Sequence, residues 1–109
     1  MTQPLSPLEH RCIELVASHN WSSFRIDGVR VSRREATGVG RYVYMDDSLN
    51  QPLLDGEYGP EPGRTIAMAG VDLGLDFVVA VTSGRINYLE LVTAGDSGWD
   101  GQERDWRVT

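Results

Sequence analysis

Few side chains in this chain stand in arrangements that bond-making chemistry requires. The two histidines, His10 and His19, are nine residues apart, and the single cysteine, Cys12, has no second thiol beside it. The His and Cys clusters that hold transition metals are therefore missing. Asp46, Asp47 and Asp72 could touch a cation but lack the ligand spacing of a calcium loop, so no metal is expected. Cys12 and His19 fall on one helical stripe, yet their separation puts them about 10 Å apart along the axis. That is too far for the proton transfer that activates a nucleophile, and Cys12 reads as a small buried apolar residue. Gly38-Val39-Gly40 lacks the third glycine and following helix of a dinucleotide loop, and a chain without lysine has no phosphate-loop lysine. Glu90 with Asp72 or Asp76 could in principle divide acid and base roles, but among sixteen acids chance explains such pairs. No catalytic residue and no cofactor is expected.

The residues suited to recognition are aromatic side chains set among carboxylates. Trp99 and Trp106 lie in a polar, glycine-rich stretch beside Asp96, Asp100, Glu103 and Asp105, and Tyr58 stands near Asp55, Glu57 and Glu61. Tryptophan and tyrosine are enriched at binding hot spots, so these ten residues form the expected partner-binding set. The two indoles could equally fold back and seal a sheet. Tyr42, Tyr44 and Tyr88 fall on expected strands, where aromatic side chains commonly pack across a sheet. Trp21 is expected to cap the core.

Charge points the same way. Residues 1–45 carry a net +2 and residues 46–109 a net −8, which gives the overall −6. An acidic C-terminal part repels phosphate backbones, so direct nucleic-acid binding is disfavoured. It would speed encounter with a basic protein, although an acidic surface also serves plain solubility. With one cysteine, no secretion signal and no apolar run long enough to cross a bilayer, the expectation is a cytoplasmic protein without a membrane partner.

The elements that must position these residues can be read in turn. At 109 residues the chain fits one domain. Ser6-Pro7-Leu8-Glu9 carries a capping box with proline at the first helical position. Leu8, Cys12, Leu15 and Val16 then recur at helical spacing, with Ile13 widening the stripe. The helix is expected to end near His19-Asn20, with Asn20 available for a left-handed cap. Alternation from Phe24 to Ser32 reads as strand, and Val29 to Met45 as a hairpin turning at Ala36 to Gly40. Residues 46–63 hold three Pro, three Gly and five acids, which excludes one regular element through the stretch. Arg64 to Ala69 suits a short strand, and Val71 to Leu75 either a turn or a loop over the core. Asp76–Thr82 and Arg85–Thr93, joined by Ser83-Gly84, read as a second hairpin. The sequence thus predicts an α+β fold, an N-terminal helix packed on an antiparallel sheet of about four to five strands. Residues 1–5 and 100–109 are expected to be flexible.

Two of these segments carry a resemblance. Val31 to Tyr44 reads VSRREATGVGRYVY and Phe77 to Glu90 reads FVVAVTSGRINYLE, followed by Trp99. The pair resembles small uncharacterised bacterial proteins in which an R-E-x-T-G-x-G-aromatic hairpin precedes a hydrophobic strand, x-G, x-x-x-L-E hairpin. Those proteins are similar to the single-domain immunity proteins that accompany bacterial toxins. The resemblance covers residues 29–99 and departs at Arg41, where the pattern has an aromatic residue. It transfers no functional residue. It implies an immunity, antitoxin-type function: binding a basic protein toxin, as a monomer or weak homodimer when alone. Two alternatives stand beside it. One is a ligand-binding or enzymatic domain whose pocket lies between helix and sheet, lined by Tyr42, Tyr44 and Glu90. The other is a subunit that self-associates through a strand edge.

Overall fold

The computed structural model describes residues 1–109, and its first element follows the capping signal. Helix α1 spans Pro7–Asn20. Ser6 Oγ accepts from the Glu9 N–H at 3.2 Å, and Glu9 Oε1 accepts from the Ser6 N–H at 2.8 Å, which completes the capping box. The helix buries Leu8, Glu9, Cys12, Ile13, Val16 and Ala17, while Leu15 is half-buried and His19 exposed. Asn20 stays helical instead of turning left-handed. Its side-chain amide donates to the Val16 carbonyl at 2.9 Å and to the Gly59 carbonyl at 2.7 Å, so it ties the helix end to the long loop.

The expected strand at Phe24 to Asp27 does not form. A short 3-10 turn occupies Ile26–Gly28. Asn50 explains why: its side chain accepts from the Arg25 N–H at 2.6 Å and donates to the Arg25 carbonyl at 2.8 Å. The backbone groups that a strand neighbour would have satisfied are already bonded.

Seven strands follow: β1 (Val29–Ala36), β2 (Gly40–Asp47), β3 (Gly56–Tyr58), β4 (Ile66–Met68), β5 (Val71–Thr82), β6 (Arg85–Thr93) and β7 (Trp106–Val108). They pair antiparallel in the order β1-β2-β6-β5-β4-β7, with β3 also on β5. The α+β class, the leading helix and both hairpins agree with expectation. The extra strands come from segments whose Gly, Pro and acid content conceals them. Residues 100–109 are not a loose tail, because Met68 pairs with Trp106 and Ile66 with Val108. At the other end, Gln3 exchanges two 2.8 Å backbone hydrogen bonds with Val31.

Val71 to Leu75 belongs to β5. The strand tolerates an irregularity there because Leu73 and Gly74 both take positive φ, 61° and 71°. A Cβ on Gly74 would sit 2.3 Å from the Ile66 carbonyl oxygen, so the close strand pairing requires glycine. The Ser83-Gly84 turn also has both residues at positive φ, as a two-residue hairpin demands.

One sheet face meets α1. Val31, Val43, Met45, Leu75, Phe77, Val79, Val81, Ile86, Leu89 and Leu91 pack with Leu8, Cys12, Ile13, Val16 and Trp99 into one core. No helix is long and apolar enough to cross a membrane.

A candidate protein-binding face

The ten residues expected to meet a partner do not converge. Trp99 is only 3% exposed and lies in the core, its Nε1–H donating to the Gln102 carbonyl at 2.9 Å. It is no accessible anchor, because burial against the sheet outweighs its polar sequence surroundings. Trp106 is half-buried on β7, packed against the core. Tyr58 turns inward and meets the Trp21 ring edge-on at 4.9 Å. Asp55 serves the hairpin turn, accepting from the Ser83 and Gly84 N–H groups at 3.1 and 2.9 Å. Several of the acids are matched internally: Glu61 with Arg64 at 3.5 Å, Asp100 with Arg104 at 2.7 Å, and Glu103 with Arg41 at 2.8 Å. The Arg104 hydrogen bonds hold the Asp100 carboxyl down at about 2. Asp96 and Asp105 remain exposed, and Glu57 lies elsewhere.

A different set does come together, on the sheet face that carries no helix. Strand alternation sends Val43 and Met45 to the core and Tyr42 and Tyr44 to the opposite side. Register then decides their neighbours. Tyr42 pairs with Glu90 and Tyr44 with Tyr88 on one side, and Glu35 and Arg33 flank them on the other. Beyond β6, Val78 pairs with Glu90, Ala80 with Tyr88, and Glu57 with Ala80. The three tyrosine rings touch one another. Tyr42 and Tyr44 stack at 6.1 Å between centroids, and Tyr88 stands edge-on to them at 5.2 and 5.9 Å. Such pairs add to the packing of a sheet, yet all three remain only half-buried.

The electrostatics of this face are uneven. Arg30 and Arg33 lie at the β1 edge, Arg85 at the turn end of β6 and Arg107 on β7, whereas Asp46, Asp76, Glu90 and Glu57 spread across the strands between. Arg33 holds Glu35 at 3.4 Å, while Glu90, Glu57 and Asp76 form no ion pair. The Glu90 charge raises the Tyr42 phenol above its ordinary value, and burial followed by the charges of Glu57 and Glu90 raises that of Tyr88. Both phenols therefore keep their protons at neutral pH and can donate hydrogen bonds. An aromatic platform ringed by free carboxylates is equipped to receive cationic side chains.

The placement corrects the reading of Tyr42, Tyr44 and Glu90 as the lining of a pocket beneath the helix. They face away from α1, and the space between helix and sheet is filled by side chains such as Leu8, Cys12, Ile13 and Leu89, each fully buried. Burial raises the Cys12 thiol well above its ordinary value, so it is protonated and inert. No group of three or more His, Cys, Asp or Glu side chains is placed to hold a metal ion.

Sequence reasoning also missed a buried ionic knot. Glu9, fully buried on α1, accepts from Arg34 Nε at 2.8 Å and Nη2 at 2.7 Å, and lies 3.0 Å from Arg41 Nη2. Arg41 also donates to the Gly101 carbonyl at 2.8 Å and stacks over Trp99, with its guanidinium carbon 5.4 Å from the ring centroid. Helix, β1, β2 and the segment before β7 are thereby joined at one point. No family model, curated protein or solved structure matches the chain.

Proposed function

We propose that the protein is an immunity, antitoxin-type binder: a cytoplasmic bacterial domain that docks on a basic protein toxin and blocks it. The observation that carries the reading is the half-buried tyrosine trio of Tyr42, Tyr44 and Tyr88 beside Glu57, Asp76 and Glu90, none of which is in an ion pair. Tyrosine supplies a large contact area at low conformational cost. Clustered aromatic anchors are what an interface centre needs. Counting the charged residues that the register places on this face, four arginines (Arg30, Arg33, Arg85 and Arg107) stand against five carboxylates, a net of −1, with Glu57, Asp76 and Glu90 on the strands between them. That sign favours encounter with a positive surface. A filled core beneath a rigid sheet suits a protein whose task is to cover another, since no reorganisation precedes docking. The proposal keeps the acidic, aromatic character expected from the sequence but moves it from the Trp99 and Trp106 segment to the open sheet.

Growth rescue tests it. Bacteria producing the toxin domain encoded beside this gene should survive when the chain is co-produced. Survival should be lost when Tyr42, Tyr44 and Tyr88 are all replaced by alanine in a variant that remains folded. A neighbouring gene that encodes no toxin, or full protection by the triple variant, overturns the reading.

A further inference from the structure

We infer that the partner contributes an arginine side chain that seats on Tyr42 and Tyr88 with Glu90 as its counter-ion. This rests on reading the open sheet face as the docking surface, and names the chemistry at its centre. Glu90 lies on β6, inside the sheet, with Tyr42 on one neighbouring strand and Val78 on the other. It is half-buried, and none of the chain's ten arginines is in ion-pair contact with it. Its partial burial strengthens its attraction for a cation that arrives.

The fold already contains one completed version of such a seat. Arg33 lays its guanidinium carbon 4.1 Å from the Tyr44 ring centroid while reaching the Glu35 carboxylate at 3.4 Å. A tyrosine face and a glutamate on adjacent strands thus hold one planar cation between them. Tyr42, Tyr88 and Glu90 repeat the same components one strand further into the sheet, with two rings 5.2 Å apart in place of one. No arginine of this chain fills that second seat. Because the raised phenols stay protonated, nothing but Glu90 itself carries charge at its centre. Arginine suits it better than lysine, since a planar guanidinium can stack on a ring and bond a carboxylate in the same pose.

The test is a titration of the isotope-labelled full chain, followed by amide NMR, with two blocked peptides, Gly-Gly-Arg-Gly-Gly and its lysine counterpart. The arginine peptide should move the amide signals around Tyr42, Tyr88 and Glu90 and bind about fivefold more tightly than the lysine peptide. Glu90→Gln should abolish that preference. Tyr88→Leu, which keeps apolar volume in the sheet but removes the ring, should do the same. The dispersed spectrum of each variant reports whether it is folded. Equal response to both peptides at this face, or an undiminished preference in folded Glu90→Gln, overturns the arginine seat and leaves the acidic docking face standing. Failure of both peptides to move any signal on this face, with basic peptides binding elsewhere, removes the docking face as well.

Discussion

Replacing Glu9 with glutamine should destabilise the protein more than any other single-atom change in its polar groups. Four contacts converge on that carboxylate: the Ser6 N–H at 2.8 Å, Arg34 Nη2 and Nε at 2.7 and 2.8 Å, and Arg41 Nη2 at 3.0 Å. Glu9→Gln keeps the size but removes the charge and turns an N–H₂ group toward arginine donors. Breaking a buried pair from one side leaves a cation uncompensated, which costs about 3–5 kcal/mol. The Arg41 side chain is only 8% exposed, so little water can replace the lost partner. A domain of this size is stabilised by roughly 5–15 kcal/mol in total, so the variant should fold with its melting temperature lowered by about 12–20 °C. The pH dependence follows from the sign of the shift. Burial alone would raise the Glu9 carboxyl, but the Arg34 and Ser6 hydrogen bonds and the Arg41 charge outweigh it and hold it below its ordinary value of 4.5. A lowered folded value stabilises fully above the unfolded one and is lost as pH falls through the folded one. The gap between wild type and Glu9→Gln should therefore be constant from neutral pH to about 5 and close under more acid conditions. Urea unfolding followed by circular dichroism measures both. A gap below about 1 kcal/mol at neutral pH, or one that persists unchanged in acid, would refute the reasoning.

Three further outcomes are expected. Trp99→Ala should cost about 3–5 kcal/mol by leaving a cavity in the core, whereas Trp99→Phe should leave partner affinity unchanged in calorimetry, since the indole does not reach the surface. Gly74→Ala should lower stability by about 2 kcal/mol or more in thermal unfolding, because the added methyl meets the Ile66 carbonyl and the backbone stays at positive φ. Association with the basic partner, followed by stopped-flow fluorescence, should slow about tenfold or more between low and half-molar salt while dissociation changes less.

Much of the scaffold was legible because local signals and tertiary structure agree. The Ser6–Glu9 box starts the helix, and Ser83-Gly84 fixes the β5–β6 hairpin. The short strands were not legible, because Gly56–Tyr58 and Trp106–Val108 are specified by the partners they meet in β5 and β4, not by any pattern of their own. Phe24 to Asp27 shows the converse, where good alternation yields to the side chain of Asn50, twenty-five residues away from Arg25. The open tyrosine face was half legible. The alternation of Tyr42 with Val43 and of Tyr88 with Leu89 announces a face apart from the core, but cross-strand register alone reveals that the tyrosines meet Glu90 there. Glu9 was recognised as a cap, and nothing in its local sequence signals that two arginines from a distant hairpin would bury its other side. Trp99 and Trp106 show that a polar neighbourhood in sequence says little about exposure when the backbone folds back onto a sheet.

Fluorine NMR on 3-fluorotyrosine-labelled protein tests the docking face most directly. The chain has four tyrosines: Tyr42, Tyr44 and Tyr88 on the open sheet, and Tyr58 packed against Trp21. On addition of the toxin partner proposed above, the first three resonances should shift or broaden together while that of Tyr58 stays in place. A complex that moves Tyr58 and leaves the other three untouched would contradict the account.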